Sequence, residues 1–208
     1  METKVLPLSS PDAISLALDI LTSGGLVAFP TDTVYGVGAL AFSSQAVESI
    51  YAAKGRRTEK AIPVLIGVVD DLVRVALDVT PVAAKLAARF WPGPLTLVMP
   101  KHPDIPEAVS ATGTVGVRIP DHAAARILLR LAGPMAVTSA NLSGQASPST
   151  AQEVAAQLGG RIALILDGGK TPGGVPSTVV DCVGAEPKIL RAGPISKDEI
   201  TTILGINL

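Results

Sequence analysis

The chain has 208 residues, a formal net charge of −1, 48% hydrophobic residues and only 3% aromatic residues. That length suits one domain with a sizeable core, which must be assembled from many small Ala, Val, Leu and Ile contacts. The near-zero charge excludes a global basic field for nucleic acid, the single cysteine, Cys182, excludes an intramolecular disulfide or a cysteine-rich zinc site, and no apolar run approaches the ~20 residues of a membrane span.

The N-terminus METKVLPLSS has no apolar signal-peptide core, so the expected setting is soluble and cytoplasmic, without membrane contact. Ser10 and Pro11 read as an N-cap and first-turn proline of a helix that runs to about Leu21 and stops at Gly24-Gly25. Residues 26–29 (LVAF) form a short buried strand ending at Pro30, and SSQAVESIYAA places Val47, Ile50 and Tyr51 on one helical face. IPVLIGV is a second buried strand; residues 70–77 and 80–90 read as helices, the second started by Thr80-Pro81. PLTLVM and TVGVRI follow as strands, Asp121 caps the helix in DHAAARILLRLAG, and PMAVTS is another strand. Thr150 with Glu153 and Ser196 with Glu199 have capping-box spacing. IALIL, TVVDCV and KIL complete the set, and the Gly/Pro-rich segment 168–176 is a loop too short to link domains. Strands and helices mix without strict βαβ alternation. The expected fold is α/β: one domain over 1–208 with a mixed, twisted open sheet and flanking helices.

Chemistry-bearing side chains gather where these strands end. AAKGRRTEKAIP holds four of the 17 cations within residues 54–60. Lys54, Arg56 and Lys60 sit on a glycine-containing turn between a helix and a buried strand, where arginine can grip phosphate or carboxylate bidentately and lysine adds a movable charge. On charge alone a solvated helix C-terminus, with cations complementing the dipole, is the ordinary explanation, so the cluster needs partners elsewhere. FPTDTVYGVGA supplies three hydroxyls (Thr31, Thr33, Tyr35) and a carboxylate (Asp32) directly after a strand, with Gly36 and Gly38 leaving room for a ligand against the backbone. An ordinary turn bonded to its own backbone fits it equally. VTSANLSGQASPST offers Thr138, Ser139, Asn141 and Ser143 in a loop long and polar enough to suggest function, or a connection that caps a helix at Thr150. In TVGVRIPDH, alternation sets Gly116 and Arg118 opposite Val115 and Val117. A buried arginine there needs an internal carboxylate or a bound anion, and the bound anion is favoured because Ile119-Pro120 ends the strand, near an expected sheet edge. Ser177 and Thr178 open a later strand and Arg191 closes another.

Familiar alternatives are missing. There is no Walker loop, no GxGxxG opening a helix and no Ser/His/Asp set. His102 and His122 lack metal-ligand spacing, and they read as a solvent-exposed loop residue and a structural residue respectively. No metal ligands are expected. Cys182 reads as a small core residue and Trp91 as a corner residue fixed by Pro92 and Pro94.

Taken in order, FPTDTVYGVGA, KGRRTEK, WPGPLTLVM, VGVRIPDH, TSANLSG and PSTVVD…ILRAG resemble the YrdC-type L-threonylcarbamoyladenylate synthase family from roughly Ala28 to Gly193. The resemblance implies a concave, positively lined cavity and a reaction in which L-threonine, bicarbonate and ATP give threonylcarbamoyl-adenylate and pyrophosphate. It further implies Mg²⁺ with the ATP, transfer of the product to adenosine 37 of tRNA by partner proteins of the modification pathway, and a possible RNA contact. Matched residue by residue, it puts Lys54, Arg56 and Lys60 on the ATP phosphates, where they stabilise the departing pyrophosphate. Thr33, Arg118, Thr138 and Ser177 fall on L-threonine, with Arg118 on its carboxylate. Ser139, Asn141 and Arg191 fall on the nucleotide, the TSAN loop being shared with threonine, and Thr114 and Ser149 stand beside the ATP. Two departures stand out: Leu65 lies near a position where some relatives carry histidine, and the chain ends at LGINL, like the single-domain form of the family. The competing readings are an RNA-binding module without nucleotide turnover, a related carbamoyl-adenylate enzyme for another substrate, and a domain whose polar loops merely connect strands.

Overall fold

The structure is a computed structural model that describes residues 2–206 apart from Gly173 and Ala185. Gly173, within the expected 168–176 loop, and Asn207 and Leu208, the end of LGINL, lie outside the described residues.

Ten strands form one sheet. In chain order they are β1 (Lys4–Pro7), β2 (Val27–Phe29), β3 (Gly36–Leu40), β4 (Val64–Leu65), β5 (Leu95–Pro100), β6 (Thr114–Arg118), β7 (Met135–Ser139), β8 (Leu164–Asp167), β9 (Thr178–Asp181) and β10 (Lys188–Arg191). Their spatial order is β1-β8-β2-β3-β7-β4-β6-β5-β9-β10. The pairing is mixed: β1, β8 and β2 run parallel, β3 and β7 pair antiparallel through five residue pairs, and β6 pairs parallel with β4 and antiparallel with β5. Six helices pack on the sheet: α1 (Ala13–Thr22), α2 (Ser44–Lys54), α3 (Pro81–Phe90), α4 (Ala123–Ala132), α5 (Ala151–Leu158) and α6 (Lys197–Leu204). None of the described helices is long and apolar enough to cross a membrane.

Strand alternation splits the core into two faces. Ala28, Ile165, Leu97, Val117 and Val180 point to one side, where they meet residues of α2, α3, α5 and α6 in the larger cluster. Val27, Phe29, Leu164 and Leu166 point to the other and pack against α1 and α4. That second cluster stops at Leu65 and Val137. Beyond Leu65 of β4, among the described residues, the same face of β6, β5 and β9 has no helix laid over it, and this uncovered half of the sheet becomes the floor of a cavity.

Several expectations are corrected. Ser10 and Pro11 lie in a turn in which Ser10 N–H donates to Pro7 O at 2.9 Å, so α1 begins only at Ala13 and Asp12 at its N-cap makes no side-chain bond. The expected 70–77 helix is a 3₁₀ helix over Val69–Arg74. It stops because the next residues are drawn alongside β5: His102 N–H donates to Val75 O and Ala76 bridges Lys101. α4 is capped by His122, not Asp121: the imidazole Nδ1 accepts from Ala125 N–H at 3.3 Å, while Asp121 pairs with Arg126. His102 is partly buried rather than fully exposed, and its Nδ1 accepts from Asp104 N–H. The reciprocal capping box is complete only at Ser196/Glu199; Glu153 bonds Ser149 instead of closing on Thr150. β6 is interior to the sheet, flanked by β4 and β5, rather than near an edge. Gly36 and Gly38 belong to β3, and a Cβ on either would meet Val137 at 2.7–2.8 Å; Gly38 makes room for the neighbouring strand, and Gly36 both does so and lines the cavity. Cys182 is fully buried, as expected, and burial pushes its thiol up to about 12.

Candidate functional site

The cavity has a volume of about 310 Å³, at the lower end of small-molecule pockets. Its floor is the uncovered sheet face, represented by Thr96, Gly116 and Val179. The loops after β2 and before β4, the end of β7, and the segment leading into β9 form its walls.

One end is built around Arg118, the last residue of β6. Strand alternation turns its side chain onto the cavity face, where it is 5% exposed. Nε donates to Gly93 O at 2.9 Å, Nη1 donates to Thr33 Oγ1 at 3.0 Å, and Nη2 donates to Asp32 Oδ1. Burial draws its affinity for a proton down, and Asp32 pulls it back. The internal carboxylate that a buried arginine requires is therefore present, in the same loop as Thr33. Thr31 fixes that loop: its Oγ1 donates to Val34 O at 2.7 Å and lies 2.9 Å from Thr33 Oγ1. Asp32 Oδ2 is buried with no hydrogen-bond partner.

Arg56 and Arg191 form a second group of cations on the cavity, and Arg191 is near enough to Arg118 for repulsion to lower the basicity of Arg118 as well. The left-handed Gly55 (φ 57°) ends α2 and throws Arg56 onto the turn that follows. The Arg56 guanidinium donates to Lys60 O and Ala61 O at 3.3 and 3.0 Å. Arg191, closing β10, donates to Ser177 O from Nε and Nη2, and Nη2 also reaches Ser177 Oγ at 3.1 Å. Ser177 Oγ lies 2.8 Å from Thr96 Oγ1. Among the described residues neither arginine has a carboxylate partner within ion-pair distance. Burial lowers both basicities, and Arg56 lowers that of Arg191 further by repulsion. Two cations held on carbonyl oxygens, close enough to repel, concentrate positive potential on this part of the cavity.

Thr33, Arg56, Arg118, Thr138, Ser139, Ser177 and Arg191 thus share one cavity. Leu65 lies in its wall as an apolar residue. The remaining expected residues fall elsewhere. Lys54 is buried at 2% exposure and donates to the main-chain oxygens of Ser139 and Asn141. Asn141 is buried and its Nδ2 donates to Leu142 O and Gln145 O, tying its own loop together. Lys60 is exposed, contributing only its carbonyl to Arg56. Thr114 pairs with Thr112 at the start of β6, and Ser149 bonds Glu153. Tyr35 is fully buried, donating to Gly169 O at 2.7 Å behind the cavity. Sequence reasoning did not single out Thr96, whose only signal is its parity with Val98 on β5, nor Asp32 as the partner of Arg118.

No group of three or more His, Cys, Asp or Glu among the described residues is placed to hold a metal. Asp32, the carboxylate beside the cavity, is engaged by Arg118.

A mixed α/β sheet with a strand-end cavity lined by hydroxyls and three arginines, two of them without a carboxylate partner among the described residues, defines the class: an α/β protein with its candidate site beyond the strand ends. The chain belongs to the Sua5/YciO/YrdC family, whose sequence model, described as "Telomere recombination", matches residues 19–193. It is 45% identical over 195 residues to the threonylcarbamoyl-AMP synthase of Bacillus subtilis, covering 92% of this chain and 56% of that one. The crystal structure of P. abyssi Sua5 complexed with L-threonine superimposes with a TM-score of 0.94 at 40% identity, over 99% of this chain and 62% of that one. E. coli YciO aligns over 95% of this chain and 99% of its own, with a TM-score of 0.85 and 25% identity. The chain therefore spans little more than half the length of the Bacillus relative and matches YciO almost end to end.

Proposed function

We propose that the chain makes L-threonylcarbamoyladenylate from L-threonine, bicarbonate and ATP, releasing pyrophosphate, for threonylcarbamoyladenosine formation at position 37 of tRNA. The observation that carries this reading is the charge division of one cavity: among the described residues Arg56 and Arg191 lack a carboxylate, while Arg118 is already paired with Asp32 beside Thr33. The first end suits a polyphosphate and the second a small zwitterion with a hydroxyl. The L-threonine complex of P. abyssi Sua5, at 40% identity, supports the second assignment.

In this reading the threonine amine attacks carbon dioxide derived from bicarbonate and forms a carbamate. A carbamate oxygen then attacks the α-phosphorus of ATP, the bond to the bridging oxygen breaks, and pyrophosphate leaves. No covalent enzyme intermediate is needed, so the work is positioning and neutralisation of charge. Arg56 and Arg191 hold the departing phosphates, and the exposed Lys60 at the turn adds a movable charge. Arg118 meets the threonine carboxylate, Thr33 and Thr138 orient the rest of that molecule, Ser177, held by Arg191, reaches it from the phosphate side, and Ser139 faces both substrates. Mg²⁺ enters on the triphosphate, as part of the substrate. The ten strands in one sheet support reading the chain as one YrdC-like domain; in this reading it works in the cytoplasm and hands its product to tRNA-modification proteins.

The test is pyrophosphate release from ATP with threonine and bicarbonate omitted in turn. Release that needs all three is expected. Release indifferent to threonine overturns the substrate, and steeply salt-dependent RNA affinity without turnover replaces the enzyme with an RNA-binding module.

A further inference from the structure

The TSAN loop leaves the sheet at the end of β7, and two of its main-chain oxygens, those of Ser139 and Asn141, turn inward to Lys54. Lys54 is the last residue of α2 and is 2% exposed. The tie is reciprocal: Ser143 N–H donates back to Lys54 O at 2.9 Å. The Asn141 side chain adds a second stitch to Leu142 O and Gln145 O, at 2.7 and 2.9 Å. On the outer side of the same loop, Thr138 and Ser139 face the cavity, which Lys54 does not line.

We propose that Lys54 is a positioning residue that shapes the 138–143 segment from beneath and acts on both substrates through it, instead of touching the nucleotide phosphates. The inference rests on the assignment of the cavity to a nucleotide and an amino acid. Two of the three ammonium donors are spent on main-chain carbonyls, which give a buried cation the acceptors it needs and make the arrangement expensive to abandon. The charge faces no carboxylate; carbonyl dipoles and the C-terminal end of its own helix offset it. Burial, with a smaller contribution from Arg56, lowers the ammonium to about 8, as expected for a group withdrawn from water.

Lys54→Met keeps the straight chain and removes the donors. Amide hydrogen exchange over 138–145 in the ligand-free variant is expected to speed up about tenfold, corresponding to the loss of one or two hydrogen bonds, with the rest of the sheet unchanged. KM should rise for threonine and ATP together, whereas Arg56→Ala, a contact variant, should raise KM for ATP alone. The wild-type protein gives a measurement independent of the variant's folding: acetylation by an amine-reactive ester, read by mass spectrometry. Lys54 should react slowly with or without ATP, and Lys60 quickly. Unchanged loop exchange with a rise in the ATP KM alone, or a Lys54 that reacts readily until ATP protects it, would make it a phosphate contact and overturn the proposal. If the wild-type chain released no pyrophosphate, the catalytic reading would fall, while exchange and acetylation would still report on Lys54.

Discussion

At one end of the cavity Arg118 is fastened to Asp32, Thr33 and Gly93 with all three of its nitrogen groups engaged; at the other, Arg56 and Arg191 rest on main-chain oxygens with no carboxylate within ion-pair distance. The three guanidiniums look alike in sequence, yet they bear different loads. Arg118 is held in a finished network, so its charge is part of what keeps the fold together. Arg56 and Arg191 carry charge that no carboxylate among the described residues offsets, and Arg56 lowers the basicity of Arg191 by repulsion. The carboxylate count around a guanidinium tells how much of its charge the fold has already neutralised: Arg118 both holds its loop and lines the cavity, whereas Arg56 and Arg191 line it without a carboxylate among the described residues.

The largest expected effect follows from breaking the finished network. Arg118→Ala leaves Asp32 buried without its partner, and removing one member of a buried pair costs about 3–5 kcal/mol. Chemical denaturation should therefore show a large drop in stability, together with loss of threonine-dependent turnover. A variant as stable as wild type would mean that the Arg118 network contributes nothing to folding, and the distinction between the two ends would disappear.

A smaller and more selective effect is expected at Arg56 and Arg191. Arg56→Ala forfeits one charge-assisted contact, about 1.5–3 kcal/mol, so pyrophosphate should bind about 10- to 100-fold more weakly by calorimetry. The denaturation midpoint should hardly move, because Arg56 is only partly buried and its partners are carbonyls that water can serve. An unchanged affinity would remove Arg56 from the anion site; a large stability loss would place it with Arg118.

The residues that sequence alone could read correctly are those whose direction is fixed by strand parity or by the first residue past a strand. Arg118 is an example: the valines at 115 and 117 dictate its face, and the structure places it on the cavity as alternation requires. Lys54 and Lys60 belong to one short cationic run, but one points into the protein and the other into solvent. Charge spacing on a turn carries no information about that choice, which is made by where the TSAN loop lies after long-range pairing of β7 with β3 and β4. Non-local pairing also hid the interior place of β6. β1 was not anticipated because KVLP is mostly exposed and lacks alternation, and β3 because its two glycines read as ligand-approach positions until Val137 of β7 is seen against them. His122 displaced Asp121 as a cap for a local reason: Arg126, one turn along α4, claims the aspartate.

The smallest effect concerns charges that serve the fold from the surface, and it sharpens the comparison because they are carboxylates. Glu199 accepts from Ser196 N–H and from the Ser196 hydroxyl, closing the box at the start of α6, and these bonds hold it below the usual glutamate range. Glu153 is held low by Ser149 in the same way. A carboxylate with a depressed folded-state pKa stabilises the protein above its unfolded value, about 4.3, and that contribution fades as pH falls through the folded value. Melting temperature should therefore be level with respect to these two groups above about pH 5 and decline in more acid solution. Glu199→Gln should shallow that decline slightly, since the pair is exposed. Neither Arg56 nor Arg191 has a carboxylate partner, so pyrophosphate affinity at their end of the cavity should not follow the Glu199 titration while the chain stays folded. If affinity and melting temperature fell together over the same pH range in wild type, and Glu199→Gln relieved both, the charge of Arg56 and Arg191 would depend on the surface carboxylates and the two kinds of arginine site would not be separable.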